Sequence, residues 1–386
     1  MEYAIPARQL KVIETVRTFV KERLDPISLQ IEKQGNIPEA IVAEMRQLGL
    51  FGLSIPQKYD GLGLSTLAEV LVYEELARAN ACFRSRIGTS NGIGSMGILF
   101  DGTEEQKKTY LPRIASGRST AAFALTETDA GSDAGRISTS AVLEGDFWIL
   151  NGTKLFITNG AFADIFTTIA VTDENKRTRG GFTAFVIERD MPGFTVAKSD
   201  LKMGMRGSPT NELIFRNCRV PKENVIGGMT MVGQGFKTAM RVLDKGRLTI
   251  GAAALGAAQK LLELCIERVK TKIKAGVPKD EKQAHRFALA DMATEIYSAR
   301  QMLHHSAWLR DRGNNVTHEA SMVKLFCTET ASKVADKAMD IFEDEGYLKE
   351  FQIEMYLRDV RLYRIFEGTS EIQRMVISRN LLKGEN

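Results

Sequence analysis

The stretch FWILNGTKLFITNGAFADIFTTIAV, residues 147–171, decides how the middle of this chain folds. It is rich in aromatic and β-branched residues, which favour strands. Within it, Asn151-Gly152 is the dipeptide that best fits a tight turn between two antiparallel strands. Further strand-like runs, FTAFVIE and NELIF, occur before residue 232. Because short connections join antiparallel strands, residues 119–232 are predicted to form an antiparallel β domain.

The sequence before this region has a helical period. Apolar residues recur at helical spacing over residues 10–24, and Pro26 stops that pattern. A second amphipathic stretch opens at Pro38. A third begins at Thr66, with Glu69 at the spacing of a capping box. Residues 1–118 are therefore predicted to be an N-terminal helical bundle.

The helical period returns after the β region, in long segments over residues 239–270, 287–312 and 320–342. The small residues of GAAALGAA, 251–258, would let helices approach closely. Residues 233–386 are predicted to be a C-terminal four-helix bundle. The whole chain is thus expected to be an α+β protein in the order helices, sheet, helices.

Composition narrows the functional classes. The 386 residues, 44% hydrophobic and 26% charged, are those of a globular protein. The net charge of +4, with basic and acidic residues interspersed, argues against nucleic acid as the main ligand. No long uninterrupted apolar run predicts a membrane span or a signal peptide, and a cytoplasmic location is expected. No metal site or disulfide framework is predicted, because no CxxC pattern connects the cysteines, which are Cys82, Cys218, Cys265 and Cys327.

Three motifs point to chemistry: FALTETDAGSD at 123–133, LNGTKLFITNG at 150–160 and YRIFEGTSEIQR at 363–374. In order and separation they resemble the signature segments of acyl-CoA dehydrogenases, and so does the helix, sheet, helix layout. The resemblance implies an acyl-CoA dehydrogenase-like fold with FAD as cofactor. It implies α,β-dehydrogenation of an acyl-CoA thioester to a 2-enoyl-CoA, a homotetramer, and an electron-transferring flavoprotein as acceptor. Two alternatives stay open, a carrier-protein thioester as substrate and a partner subunit of a mixed oligomer.

The resemblance also assigns residues. Glu367 matches the catalytic base and Gly368 the small residue after it. A carboxylate in an apolar pocket gains the raised pKa that removal of an α-proton requires. Some relatives place the base just before the arginine of LDKGRL, and Gly246 stands there in this chain. The residues matched to flavin contacts are Phe123, Leu125, Thr126, Gly131, Ser132, Phe156, Ile157, Thr158, Gln283, Thr369 and Glu371.

The substrate side is assigned in the same way. Ser132 is expected to face the pantetheine arm as well, and Asp244 with Arg247 to support the substrate. Arg84 and Arg86, in FRSRIGTSNG, fall where relatives line the far end of the acyl pocket, and FRS resembles the glutaryl-CoA dehydrogenases. Because guanidinium captures carboxylate well, an acyl group that carries an acid is expected. The alternative is that both arginines point to solvent.

The segments that relatives use in trans for the adenine and pyrophosphate of the flavin depart from the family pattern. Aligned on Gln283, the departures are Lys272, Ala275, Asp340, Glu343 and Asp344, with Gly276 retained. Carboxylates beside a pyrophosphate repel it, and side chains block the close approach that glycine permits. The expected outcome is weaker FAD binding or pairing with a different subunit, unless neighbouring lysines compensate.

Overall fold

The computed structural model describes residues 3–275 and 278–382, so Gly276 lies outside the described residues. Helices come first. They are α1 Ala7–Phe19, α2 Ser28–Gln34, α3 Glu39–Gln47, α4 Thr66–Leu76, α5 Ala81–Asn91, α6 Met96–Asp101 and α7 Glu104–Ala115.

The start of α4 differs from the predicted capping box. Ser65 is the N-cap, and its Oγ accepts a hydrogen bond from the backbone N of Ala68 at 3.2 Å. Glu69 is buried and forms an ion pair with Lys245 at 2.9 Å. The local pattern predicts that the Glu69 carboxylate caps α4, but this carboxylate instead pairs with a buried lysine of another helix.

The middle of the chain forms one seven-stranded sheet. The strands are β1 Thr120–Ala124, β2 Ser140–Glu144, β3 Phe147–Thr158, β4 Ala163–Val171, β5 Phe182–Glu188, β6 Phe194–Ser199 and β7 Thr210–Pro221. Their order is β1-β4-β2-β3-β7-β6, with β5 also on β4. Most pairs are antiparallel as predicted, but β2 meets β4 in parallel at one residue pair, and β1 and β4 run parallel. That pairing needs a long crossover, and the β2–β3 hairpin supplies it.

The predicted turn at Asn151-Gly152 is wrong. Both residues lie inside β3, and the hairpin turns at Gly145-Asp146, where Glu144 pairs with Phe147. Gly152 marks a β-bulge against β7. A Cβ at this position would lie 2.5 Å from Thr139 Oγ1, so glycine is required by a close approach and not by a turn.

The chain then returns to helices, α8 Gly235–Ala275, α9 Lys279–Asp311, α10 Thr317–Phe342, α11 Ile353–Tyr363 and α12 Ser370–Leu381. The predicted close packing is present, because a Cβ at Gly256 would overlap the carbonyl oxygen of Glu74 in α4. Among the described helices, α8 alone is long and apolar enough to cross a membrane, and most of that apolar stretch is buried inside the protein. One apolar core joins the N-terminal and C-terminal helices, and two smaller cores cover the sheet.

Candidate active site

Glu367 lies in the turn between α11 and α12. Its backbone has φ +55, a strained value for a residue with a side chain, and Gly368 follows at φ +96. A Cβ at Gly368 would lie 2.6 Å from the side-chain nitrogen of Gln373, which donates to the Gly368 carbonyl at 2.9 Å. Glycine is therefore needed directly after the glutamate for the chain to turn.

Glu367 is half-buried as a residue, but its Oε2 is withdrawn from solvent and has no hydrogen-bond partner among the described residues. Burial raises its pKa, while the charges of Arg84, Lys324 and Arg247 oppose that rise. A carboxylate with a raised pKa and an unused oxygen fits a proton acceptor.

Gly246, on α8, makes room for this carboxylate. A Cβ at Gly246 would overlap Oε2 of Glu367. The two positions that the resemblance offers for a base thus address the same space, one from α8 and one from the turn before α12, and in this chain only Glu367 has a side chain to fill it.

Asp244 and Arg247 form a bridged pair on the same helix. Arg247 Nη1 donates to Asp244 Oδ1 at 2.7 Å and to Ser321 Oγ on α10 at 3.1 Å. The other Asp244 oxygen accepts from Thr317 Oγ1 at 2.7 Å. Asp244 and Thr317 also line an open cavity of about 310 Å³. The pair fixes α8 to α10 beside Glu367.

Arg84 and Arg86 are both buried, at 5% and 7% exposed, so the solvent-facing alternative is wrong for both. Arg84 Nη2 donates to Thr249 Oγ1 at 2.8 Å, its Nε has no partner among the described residues, and its charge acts on Glu367.

Arg86 points away from Arg84, so the structure does not bring the two predicted substrate residues together. Its guanidinium bonds Thr120 Oγ1 at 3.0 Å and packs over the rings of Phe51 and Phe162, at 5.2 Å and 4.7 Å. Two helix residues whose numbers differ by two point in directions about 200° apart. Arg84 therefore faces the carboxylate of Glu367, and Arg86 faces the sheet.

The loop that follows β1 contains the residues predicted to hold the flavin ring. Phe123 and Leu125 are buried, while Gly131 and Ser132 are exposed at the tip. The backbone oxygen of Thr126 accepts from Leu155 N at 2.8 Å, which ties the loop to β3. A Cβ at Gly131 would meet nothing within 4 Å, so open space adjoins this loop.

Sequence reasoning missed the ion pair that holds this loop. Lys154 is fully buried and donates to Leu125 O at 3.1 Å and to Glu127 Oε1 at 2.7 Å. Glu127 also accepts from the backbone of Ser138 and Thr139. Alternation along β3 could have found Lys154, because it points to the same side as the buried Trp148 and Leu150.

The second motif presents an aromatic ring beside the open loop. Phe156 is 65% exposed on a backbone of φ +57, between the buried Lys154 and the buried Ile157. Thr158 is half-buried at the end of β3. An exposed aromatic ring on a strained backbone next to open space fits a planar ring such as a flavin.

The remaining predicted flavin contacts lie on helices. Thr369 is the N-cap of α12 and accepts from Ile372 N at 3.3 Å, with Glu371 exposed in the first turn. Gln283 is exposed near the start of α9. Lys272, near the C-terminal end of the 41-residue α8, lies 26 residues beyond Gly246, so the two residues are about 39 Å apart along the axis. Gln283, which follows that distant end, is not brought to the cleft around Glu367.

At that distant end, Lys272 forms an ion pair with Glu343 at 2.7 Å. Glu343 has φ +52, a conformation that favours glycine. Hydrogen bonding to Lys272 lowers the pKa of Glu343. The departures from the family pattern at positions 272 and 343 are therefore linked by an ion pair.

Comparison with known proteins identifies the chain. It matches three domain families: the acyl-CoA dehydrogenase N-terminal domain over residues 6–118, the middle domain over 122–218 and the C-terminal domain over 233–382. The chain belongs to the acyl-CoA dehydrogenase family. It is a flavoprotein oxidoreductase that acts on CH–CH groups.

Its relatives are similar over their whole length. An acyl-CoA dehydrogenase of Bacillus subtilis is 40% identical, over 98% of this chain and 99% of the relative. A chain in the structure of the electron transferring flavoprotein of Acidaminococcus fermentans is 37% identical, with a TM-score of 0.94 over 99% of this chain and 100% of that one. A glutaryl-coenzyme A dehydrogenase in complex with glutaryl-CoA is 33% identical, with a TM-score of 0.92 over 99% and 97%.

Proposed function

We propose that this protein is an FAD-dependent acyl-CoA dehydrogenase in which Glu367 abstracts the α-proton of the acyl thioester. The observation that carries the proposal is the carboxylate of Glu367, whose Oε2 is buried without a partner among the described residues and whose pKa is raised by burial. Loss of the α-proton leaves negative charge on the thioester oxygen. A backbone N–H of the turn at Glu367 would stabilise that charge.

A bound flavin supplies the hydride acceptor for the β-carbon. The residues that fit the flavin ring are the loop at 123–132, the exposed Phe156 and the start of α12. Asp244 and Arg247 are placed to orient the thioester, and Gly368 lets the backbone pass close to it. The product is a trans-2-enoyl thioester.

The test is anaerobic bleaching of the purified yellow protein by a panel of straight, branched, aromatic and dicarboxylic acyl-CoAs. Glu367→Gln should keep flavin content and fold while turnover falls by at least about 10²-fold, because a positioned base is lost. Glu350→Gln, at an exposed carboxylate before α11, is the matched control and should leave turnover unchanged. A Glu367→Gln enzyme with more than about a tenth of wild-type turnover would refute the assignment of the base.

A second candidate refines the substrate: an acyl group that carries a carboxylate. The observation in its favour is Arg84, which is buried with an unpartnered Nε and acts on Glu367 together with the cations of Arg247 and Lys324. A buried guanidinium is costly unless an anion pairs with it. The likeness to a glutaryl-CoA dehydrogenase at 33% identity adds weight.

The expected result is that glutaryl-CoA or succinyl-CoA bleaches the flavin faster than butyryl-CoA. Arg84→Met should reverse that order, because it removes the cation and leaves an apolar side chain of similar length. Arg86→Met serves as control, since Arg86 faces the sheet. A clear preference of the wild type for butyryl-CoA contradicts the candidate.

The expected partners follow from the family, and the expected location from the sequence. We infer an electron-transferring flavoprotein as electron acceptor, a homotetramer, and a cytoplasmic enzyme. The likeness to a chain in an electron transferring flavoprotein structure supports the first of these. The alternatives are a carrier-protein thioester as substrate, which the same panel tests when pantetheine is presented on a protein, and a mixed oligomer.

A further inference from the structure

Lys324 on α10 is a buried amine that the proposed reaction does not use. Its side chain is fully buried, and its Nζ has no hydrogen-bond partner among the described residues. A buried ammonium without a partner is costly, so this position needs an electrostatic explanation.

One contact between helices brings Lys324 to the base. One turn before it on α10, Ser321 Oγ accepts from Arg247 Nη1 at 3.1 Å. Gly246, the neighbour of Arg247, lies against the carboxylate of Glu367. Since residues three apart share a helix face, Lys324 follows Ser321 on the face that meets this part of α8.

A second contact attaches the catalytic turn to the same helix. Five residues after Lys324, Glu329 Oε1 accepts from Ser370 Oγ at 2.6 Å and from Arg364 Nε at 3.0 Å. The segment that carries Glu367 is thus fixed to α10 from both sides of the turn. Lys324 lies between the two anchoring points.

The charges that act on Lys324 come from α8, α10, α12 and the turn before α12. The charged groups that act on its amine are Glu367 on the turn, Glu329 on α10, Glu371 on α12 and Arg247 on α8. Burial lowers the pKa of Lys324 to about 8, and the carboxylates act against that fall, with Glu367 the strongest of them. Below this pH the group is an ammonium.

The three cations that face Glu367 differ in their partners. Arg84 bonds Thr249 and Arg247 bonds Asp244, whereas Lys324 makes no hydrogen bond to a described residue. We propose that Lys324 is a positioning residue whose ammonium faces the Glu367 carboxylate and sets the pH at which this carboxylate becomes a base. The inference rests on the proposed role of Glu367.

Replacement of the ammonium by a neutral chain defines the test. In Lys324→Met, the carboxylate loses a favourable charge and holds its proton more tightly. The acid limb of the kcat/KM profile should then move up by about 1 pH unit, the lower end of the effect of one close charge. Lys324→Arg keeps the cation and should restore the wild-type limb. Lys333→Met, at an exposed lysine on the same helix, should leave the profile unchanged.

A second readout does not depend on turnover. The protonated carboxyl band in infrared spectra, assigned to Glu367 by its loss in Glu367→Gln, should titrate with the same upward shift in Lys324→Met. If no acyl-CoA bleaches the wild type, the proposed function fails and this titration still tests the charge effect. An unshifted band and limb in Lys324→Met, or loss of stability and flavin alone, would overturn the proposal.

Discussion

At the residue scale, Gly246 is as informative as the base itself. Because a Cβ at this position would overlap Oε2 of Glu367, Gly246→Ala should push the carboxylate out of its place. We expect turnover to fall by at least about 10²-fold, as for a lost base. Alanine is the better helix former by up to about 1 kcal/mol, so the melting temperature should hold or rise.

The matched control for that prediction is Lys237→Ala, at an exposed position of α8. It should change neither turnover nor melting temperature. A fully active Gly246→Ala enzyme would mean that Glu367 does not act from this position.

Residue identities in the motifs could be predicted from the sequence, but their burial and partners could not. The resemblance assigned the same role to Arg84 and Arg86, two residues apart, yet a helix turns them to opposite sides. Lys324 shares a helix face with Ala320, Cys327 and Ala331, which are all buried. The spacing of these small apolar residues could have predicted that Lys324 is buried. A single lysine in a sequence is, however, normally expected to be exposed to solvent.

At the element scale, the loop after β1 depends on the Lys154–Glu127 pair. Burial raises the pKa of Glu127, but the charge and hydrogen bonds of Lys154, with the bonds from Thr139 and Ser138, lower it overall to about 2. A folded-state pKa below the unfolded value stabilises the fold above the unfolded pKa. That contribution is lost as pH falls from about 4.5 to about 2.

As pH is lowered through that acid window, we therefore expect the free energy of unfolding to decrease less steeply in Glu127→Gln than in the wild type. Denaturant titrations at several pH values measure it. Glu144→Gln, at an exposed carboxylate of β2, is the control and should follow the wild type. Parallel slopes for Glu127→Gln and the wild type would count against a stabilising pair.

Elements could be predicted where a periodic apolar pattern extends over many residues. They were less predictable where the prediction depended on a single dipeptide. The long C-terminal helices follow from apolar spacing. Asn151-Gly152 was assigned to a turn because local propensity favours one, yet β3 continues through it to pair with β7. The true turn, Gly145-Asp146, is set by the register of β2 against β3, which is a long-range property of the sheet.

At the scale of the whole molecule, the two ends of α8 serve different places. The Lys272–Glu343 pair neutralises the cation that the family resemblance assigns to the flavin pyrophosphate. We expect the chain expressed alone to retain less than one FAD per subunit after desalting. Flavin absorbance per chain, together with the oligomer mass, measures this.

Glu343→Gly should raise that retention, because it removes a carboxylate that is paired with Lys272 and relieves a backbone of φ +52. Glu343→Gln separates the two effects, since it removes the charge but keeps the side chain. A homotetramer of the wild type with one tightly held FAD per chain would contradict the expectation.

The unbroken α8 also restricts how this sequence can diverge. Each residue advances a helix by about 100°, so one inserted residue between Arg247 and Lys272 would rotate every later side chain by that angle. The close approach at Gly256 would then face the wrong neighbour. A change of length is therefore not tolerated along this stretch, and alignments of homologous sequences should be free of gaps from 247 to 272.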